Sequence, residues 1–254
     1  MLLVIKTKIK MSFLNAEWRK LAVANYVINP SSLSKYVPAG TELDLWENKC
    51  FVSLIGFMFL DTKILGVKIP FHINFEEVNL RFYVKRFENN TWKRGVVFIK
   101  EIVPKPALTF IANTIYKEHY ETLPMRHKWE ENITNRTVEY QWKKNRVWQS
   151  FKIVAALKAS EIIENSETEF ITEHYWGYAK VNDSVTNEYE VTHPKWKQYR
   201  VESSEIKVDF GIVYGKDFEF LNKMKPESVM LAEGSEITVE SKTTIRENAN
   251  QYNV

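Results

Sequence analysis

Short segments in which hydrophobic and polar residues alternate dominate this chain, and they predict β strands. Most of these segments are rich in β-branched and aromatic residues, which favour strands, and turn-forming residues separate them. The predicted strands are 42–46, 49–60, 75–87, 95–103, 134–142, 147–157, 176–181, 189–192, 205–210 and 235–245. Many strands at short spacing with few helices are typical of an antiparallel barrel or sandwich.

A few helices are predicted beside the strands. Apolar residues recur at helical spacing over 106–119, which predicts the clearest helix. Shorter helices are predicted at 29–37 and 217–224, and a third after Ser166, because Ser166 and Glu169 have capping-box spacing. The sequence therefore predicts the α+β class, as a mainly antiparallel closed β barrel or sandwich with a few flanking helices.

No repeat, low-complexity run or linker divides the 254 residues, which lie near the upper size for one hydrophobic core. We expect a single domain at 13–245, an N-terminal extension at 1–12 and a polar tail at 246–254. The apolar residues near the N-terminus precede its lysines, which is the reverse of a secretory signal. The sequence leaves open whether the native chain starts at Met1 or Met11.

Composition narrows the function class. The chain is 44% hydrophobic and 14% aromatic with a formal net charge of +3, which argues against disorder and against a dedicated nucleic-acid binder. No apolar run is long enough to span a membrane. The single cysteine, Cys50, cannot form an internal disulfide and is expected in the core. We therefore expect a cytoplasmic protein without nucleic-acid or membrane partners, and its oligomeric state is left open.

Candidate chemistry is concentrated on the strand at 75–87. Side chains alternate between the faces of a strand, so this segment has one polar and one apolar face. The polar face carries Glu77, Asn79, Arg81 and Tyr83, and the other carries Val78, Leu80, Phe82 and Val84. A polar face of this kind either contacts solvent or lines an interior cavity. Tyrosine and asparagine are less typical of a solvated face, so the composition favours a cavity.

Weaker candidates lie elsewhere. His119 shares the apolar face of the predicted 106–119 helix, and a lone histidine there is more often a core residue than a functional one. Two aromatic runs, 173–178 and 191–196, offer His174, Tyr175, Trp176 and His193 as walls of a pocket or as core residues. We find no glycine-rich phosphate loop, nucleophile elbow or metal-ligand spacing, so no metal and no cofactor are expected.

Four motifs in order along the chain carry a resemblance to a known family. They lie at 29–44, 77–84, 173–178 and 193–196. Together they resemble the YqjF-like family of uncharacterised bacterial proteins over about 13–239. The resemblance implies a fold like that of acetoacetate decarboxylase, with an interior pocket and a pocket carboxylate that Glu77 could match. That enzyme uses a pair of lysines in a Gly-Phe-Pro-Lys-Lys context, which this sequence lacks; Lys117 is followed by Glu118 instead.

We expect a small-molecule ligand, polar or anionic, in an interior pocket where Glu77 and Arg81 orient it. One alternative is an enzyme acting on a small carbonyl or carboxylic compound, with Glu77 as general acid or base. Another is a protein–protein interaction module that uses exposed aromatic residues. A buried Glu77 beside a concave pocket would favour the first two hypotheses over the third.

Overall fold

The computed structural model describes residues 12–246. The predicted N-terminal extension and polar tail therefore lie outside the described residues, except for Ser12 and Arg246. None of the helices within 12–246 combines the length and the apolar character needed to cross a membrane.

Strands dominate the fold, and only short helices accompany them. The strands are β1 (Leu14–Ile28), β2 (Glu42–Leu43), β3 (Cys50–Ile64), β4 (Phe75–Glu88), β5 (Thr91–Val103), β6 (Tyr120–Thr122), β7 (Met125–Glu131), β8 (Asn135–Lys144), β9 (Val147–Glu161), β10 (Trp176–Asn182), β11 (Val185–Thr192), β12 (Lys197–Lys207), β13 (Ser228–Val239) and β14 (Thr243–Arg246). The α-helices are α1 (Pro106–Ile111), α2 (Glu167–Thr172) and α3 (Phe210–Tyr214). A π-helical turn covers Ala112–Tyr116, and 3-10 helices cover Pro30–Leu33 and Lys216–Lys223.

The strands form one large sheet that closes on itself. Its order is β14-β11-β10-β5-β4-β3-β1-β13-β12-β9-β8-β7, with β2 paired to β4 and β6 paired to β5. Because β11 also pairs with β13, seven strands form a closed circuit: β1, β3, β4, β5, β10, β11 and β13. Pairing is antiparallel except where β5 meets β6 and β10. These features confirm the predicted α+β class and its mainly antiparallel closed β structure.

Both faces of the central strands are buried, in two separate apolar clusters. On β4, Val78, Leu80 and Phe82 pack in a cluster outside the circuit, together with residues of β8, β9 and α3. Gly56 on β3 lets the Tyr140 ring of β8 approach, since a Cβ atom at Gly56 would lie 2.7 Å from that ring. The second cluster lies inside the circuit and includes Phe57 and Phe59 of β3. The interior of the circuit is therefore a distinct compartment.

Several element predictions were wrong. The long strand β1 was missed because Leu21 to Tyr26 are all buried, so the segment lacks the alternation of a half-buried strand. The predicted helix at 106–119 is α-helical only to Ile111, and the π turn that follows ends at Lys117, which has a left-handed φ of 64°. The predicted strand at 205–210 instead ends at Lys207, since the Asp209 side chain accepts the Ile212 N–H and caps α3.

Candidate functional site

A cavity of about 140 Å³ lies inside the closed circuit, and all seven strands of the circuit contribute to its wall. Helix α1 and the π turn cover one side. Most of the lining is apolar and much of it aromatic: Trp18, Phe57, Phe59, Phe75 and Phe98 are examples. The polar lining residues are Glu77, Asn79, Arg81, Glu101, Tyr116, Glu118, Tyr120, His174 and Tyr189. An apolar chamber with a small set of convergent polar groups is the usual form of a small-molecule site.

Glu77 and Asn79 reach the cavity from β4. Glu77 is 3% exposed and Asn79 is 1% exposed. The Asn79 amide donates a hydrogen bond to Glu77 Oε1 at 3.0 Å, and the Tyr120 hydroxyl donates to Glu77 Oε2 at 3.3 Å. Burial raises the pKa of Glu77 to about 7, although these two hydrogen bonds and the charge of Arg81 act in the opposite direction. Glu77 can therefore gain or lose a proton near neutral pH.

Glu101 faces the cavity because of a β bulge in β5. Val96 and Phe98 line the cavity, so strict alternation would place Lys100 there next. The pairing with β4 shifts by one residue at this point, from Leu80 opposite Lys100 to Arg81 opposite Phe98. Lys100 instead binds Glu121 at 3.0 Å. Glu101, 2% exposed, turns inward, and burial followed by the charges of Glu118 and Glu77 raises its pKa well above the usual range.

Glu118 enters the cavity from the segment after the π turn. The left-handed Lys117 changes the chain direction, so Tyr116 and Glu118 are buried while Lys117 and His119 are exposed. The Tyr189 hydroxyl donates a hydrogen bond to Glu118 Oε1 at 2.9 Å. Burial raises the pKa of Glu118 to about 7; the Tyr189 hydrogen bond opposes this shift and the Glu77 charge adds to it.

His174 approaches the cavity together with Asp44 and Arg94. Asp44 Oδ2 lies 2.6 Å from Arg94 Nε and 3.2 Å from His174 Nε2. Burial opposes ionisation of Asp44, but the hydrogen bonds with His174 and Arg94 keep its pKa below the usual range. Burial lowers the pKa of His174 to about 4, against the hydrogen bond with Asp44. His174 Nε2 lies 3.2 Å from Asp44 Oδ2 and 3.4 Å from Arg94 Nη2. We assign the proton to Nε2 because the Asp44 contact is the shorter one, and in this tautomer Nε2–H donates to Asp44 and Nδ1 is an acceptor.

Several buried polar atoms at the cavity have no hydrogen-bond partner. They are Asn79 Oδ1, Arg81 Nε, Glu101 Oε2, His174 Nδ1 and Trp18 Nε1, and all five residues line the cavity. The great majority of buried polar groups in folded proteins are hydrogen-bonded, because leaving one unpaired costs about 1–3 kcal/mol. Five such atoms therefore lie at one cavity.

The predicted candidates divide into two groups. Glu77, Asn79, Arg81, His174 and Trp176 line the cavity. The other four candidates do not. Tyr83 is buried behind the wall, where its ring packs 4.7 Å from the His174 ring and its hydroxyl lies 2.8 Å from that of Ser53.

The predictions for His119, Tyr175 and His193 need correction. His119 is exposed, because the helix ends before it. The rings of Tyr175 and His193 pack against each other at 4.7 Å, and His193 lines a surface groove with Thr192 and Pro194. Proximity in sequence to His174 therefore did not bring these aromatic residues into the cavity.

Five polar lining residues were missed: Glu101, Tyr116, Glu118, Tyr120 and Tyr189. Glu101 was missed because the bulge changes which β5 side chains face the cavity. Glu118 was missed because the helix ends earlier than its apolar pattern indicates. The available signal was the Glu101 carboxylate next to Ile102 and Val103 at the end of a strand that is mostly apolar from Val96 onwards. Within 12–246, no lysine lines the cavity, and no group of three or more His, Cys, Asp or Glu side chains is arranged to hold a metal ion.

The sequence pattern of one protein family, DUF2071, matches residues 15–236, and that family is described as an uncharacterised conserved protein. A search of the curated proteins finds no match.

Solved structures with a similar fold are acetoacetate decarboxylase-like enzymes and the enduracididine biosynthesis enzyme MppR. Acetoacetate decarboxylase from Legionella pneumophila subsp. pneumophila str. Philadelphia 1 is similar over 91% of this chain and 86% of its own, with a TM-score of 0.62 and 10% identity. An acetoacetate decarboxylase-like enzyme from Sphingomonas wittichii RW1 aligns over 93% and 94%, with a TM-score of 0.63 and 9% identity. MppR complexed with pyruvate aligns over 94% and 93%, with a TM-score of 0.64 and 8% identity. Because these identities are low, the similarity shows a shared fold and no more. It is the fold that the sequence motifs predicted.

Proposed function

The chain belongs to the DUF2071 family of uncharacterised conserved proteins, and for this member we propose binding of a small organic molecule in the interior cavity. The observation that carries this proposal is the set of unpaired buried polar atoms at an otherwise apolar chamber. Glu77, Asn79 and Arg81 are proposed to orient the polar end of the ligand. The aromatic walls are proposed to hold its apolar body.

The size of the chamber limits the ligand. A dry cavity of about 150 Å³ in another protein accepts benzene, and this cavity of about 140 Å³ is of similar volume. The ligand is therefore proposed to have the bulk of one small ring or short chain. MppR has been solved with pyruvate bound, which supports small-molecule binding as one use of this architecture.

Acid–base chemistry on the bound molecule is a second candidate, favoured by the pKa values of Glu77 and Glu118. A general acid or base works best when its pKa lies near the working pH, and burial raises both of these pKa values to about 7. The substrate would be a small carbonyl or carboxylic compound, with Glu77 exchanging the proton. This reaction is proposed without a lysine Schiff base, since no lysine of the described residues lines the cavity.

The interaction-module alternative has weaker support. Exposed large apolar residues are present, among them Phe71 and the neighbouring rings of Phe87 and Trp92, but apolar atoms contribute more than half of an ordinary protein surface. Glu77 is buried beside a concave chamber, which is the arrangement that favours ligand binding over this alternative.

A metabolite-pool thermal-shift screen tests the binding proposal. A ligand that binds only the folded protein stabilises it, by about 2.7 kcal/mol at a concentration 100 times its Kd. We expect at least one compound of roughly single-ring size to raise the Tm. Failure of every compound in the pool to raise the Tm would contradict the proposal.

Glu77→Gln is expected to fold like the parent and to weaken binding of the compound found in that screen by about tenfold or more, since a hydrogen bond to a charged group contributes about 1.5–3 kcal/mol. Glu205→Gln is the matched control, because Glu205 is exposed on β12 and pairs with Lys207. Equal affinities for the parent and both variants would show that Glu77 takes no part in binding.

A further inference from the structure

The charge that the ligand carries follows from the groups around the polar end of the cavity. Three carboxyl side chains from three separate segments meet there: Glu77 from β4, Glu101 from β5 and Glu118 from the segment after the π turn. All three are buried. Arg81 is the one lysine or arginine of the described residues in the cavity lining. Acidic groups therefore outnumber basic ones at this end of the chamber.

The guanidinium of Arg81 is also partly committed elsewhere. One of its terminal nitrogens donates to the Ile171 carbonyl at 3.3 Å, and the group lies 5.5 Å from the centre of the Tyr83 ring. Its Nε remains unpaired. A ligand carboxylate beside Arg81 would share the chamber with three carboxyl groups, and it would be repelled by each of them that is ionised, because like charges interact strongly at short range in a poorly hydrated site.

Unpaired hydrogen-bond acceptors in the cavity wall indicate independently which class of ligand fits it. Asn79 Oδ1 is unpaired on a side chain that is 1% exposed, because its amide nitrogen is used for Glu77. His174 Nδ1 is also unpaired and is an acceptor when Nε2–H faces Asp44. Both residues line the cavity. Asn79 lies beside Glu77, and with His174 it provides two unpaired acceptors against two unpaired donors, Arg81 Nε and Trp18 Nε1. The three carboxyl groups shift this balance towards a ligand with several hydrogen-bond donors.

We propose that the cavity recognises a protonated nitrogen, as in a primary ammonium group, carried on a compact apolar body. This inference rests on the proposed binding function and adds the class of ligand. An ammonium group has three donors and no acceptor, which matches the unpaired acceptors of Asn79 and His174 and the carboxyl groups. The faces of the aromatic walls, such as Trp18 and Phe57, also attract cations.

Binding of such a cation is coupled to proton release. The titratable and charged groups that face the carboxyl cluster are Glu77, Glu101, Glu118, Arg81, Tyr120 and Tyr189. His174 and Tyr116 also line the chamber; burial lowers the pKa of the first and raises that of the second, so neither is charged near pH 7. Burial makes the carboxyl groups hold protons near neutral pH. A bound cation favours their ionised form, so its affinity rises with pH.

Calorimetric titration with benzylamine, benzyl alcohol and benzoate tests the inference on the full chain, because these probes share one ring and differ in the charge of the polar group. We expect benzylamine to bind at least about tenfold tighter than the other two at about pH 8. Its affinity should rise severalfold between about pH 6 and about pH 8, with protons released to the buffer. Repeating the titration in two buffers with different heats of ionisation counts those protons.

The variant Glu118→Gln should weaken benzylamine binding about tenfold and benzyl alcohol binding by a smaller factor, because only the amine carries a charge, with Glu205→Gln as the surface control. Its melting curve checks that it folds, and Glu101→Gln is a second variant if it does not. Equal or tighter binding of benzyl alcohol or benzoate would overturn the amine inference and leave the cavity as a ligand site. Absence of binding by all three probes would also overturn the inference, and the metabolite-pool screen then decides the binding proposal separately.

Discussion

Replacing Gly234 with alanine is expected to destabilise the protein by at least about 3 kcal/mol, the largest effect that we predict for a single methyl group. Gly234 lies on β13 with a φ of +82°, a conformation that L residues rarely adopt. A Cβ atom there would lie 1.9 Å from the Trp18 carbonyl oxygen of β1. This neighbour is backbone in a paired strand, so relief of the overlap requires the β1–β13 pairing to open, and that pairing belongs to the closed circuit.

Gly215→Ala is the matched control. Gly215 also has a positive φ, +103°, but no atom lies within 4 Å of its added Cβ. It therefore reports backbone strain alone, about 1–3 kcal/mol. Urea unfolding of both variants measures the difference, which is the cost of the overlap itself and which we expect to be about 1–3 kcal/mol. Similar losses in the two variants would mean that the β1–β13 approach does not constrain residue 234.

The second large effect concerns Glu101 and pH. Burial first, and then the charges of Glu118 and Glu77, raise the folded-state pKa of Glu101 well above the value of about 4.3 in an unfolded chain. The native state therefore binds more protons than the unfolded state, and stability falls as the pH rises above the unfolded pKa. Glu77 and Glu118 act in the same direction up to about pH 7, where burial places their pKa values.

His174 acts in the opposite sense at lower pH. Burial lowers its pKa to about 4, so its contribution to stability is present above the unfolded value of about 6.5 and is lost as the pH falls. Above about pH 6.5 the carboxyl groups dominate the contribution of the cavity to the pH dependence of the unfolding free energy. In that range each group that still titrates lowers the unfolding free energy by up to about 1.4 kcal/mol per pH unit.

We therefore expect Glu101→Gln to be more stable than the parent by roughly 1–3 kcal/mol at about pH 8.5 and close to it at about pH 5, where Glu101 is protonated. Urea unfolding between about pH 5 and about pH 8.5 gives both stability curves. Glu205→Gln should follow the parent curve, because its carboxylate is exposed. Parallel curves for the parent and Glu101→Gln would contradict the burial of an ionisable Glu101.

Local sequence patterns were sufficient to predict the fold and part of the cavity lining. Along β4 the two-residue period continues without interruption from Phe75 through Leu80, so the sequence correctly placed Glu77 and Asn79 on one face and Val78 and Leu80 on the other. The four motifs in order along the chain were sufficient to predict the fold, and the family match and the similar solved structures confirm that prediction. Ser166 was correctly predicted to cap α2, because a capping interaction involves only neighbouring residues.

The burial of both β4 faces was decided by tertiary structure. A strand pattern specifies which residues share a face, but the polar face of β4 is buried because seven strands close around it. The same closure buries both faces of β1, which is why its sequence lacks alternation. Closure depends on the pairing of β11 with β13, residues about 47 positions apart along the chain, and no local period reports such a contact.

By itself, the sequence determined the strand-rich fold, which β4 side chains share a face and the absence of the decarboxylase lysine motif, because periodicity and motifs are local properties of the chain. Only the tertiary structure decided that Glu101 and Glu118 join Glu77. The bulge that turns Glu101 inward arises in the pairing of two strands, and the left-handed Lys117 that redirects Glu118 ends a helix whose apolar pattern continues. Both are departures from a regular period, imposed by packing around the cavity rather than by the residues on either side.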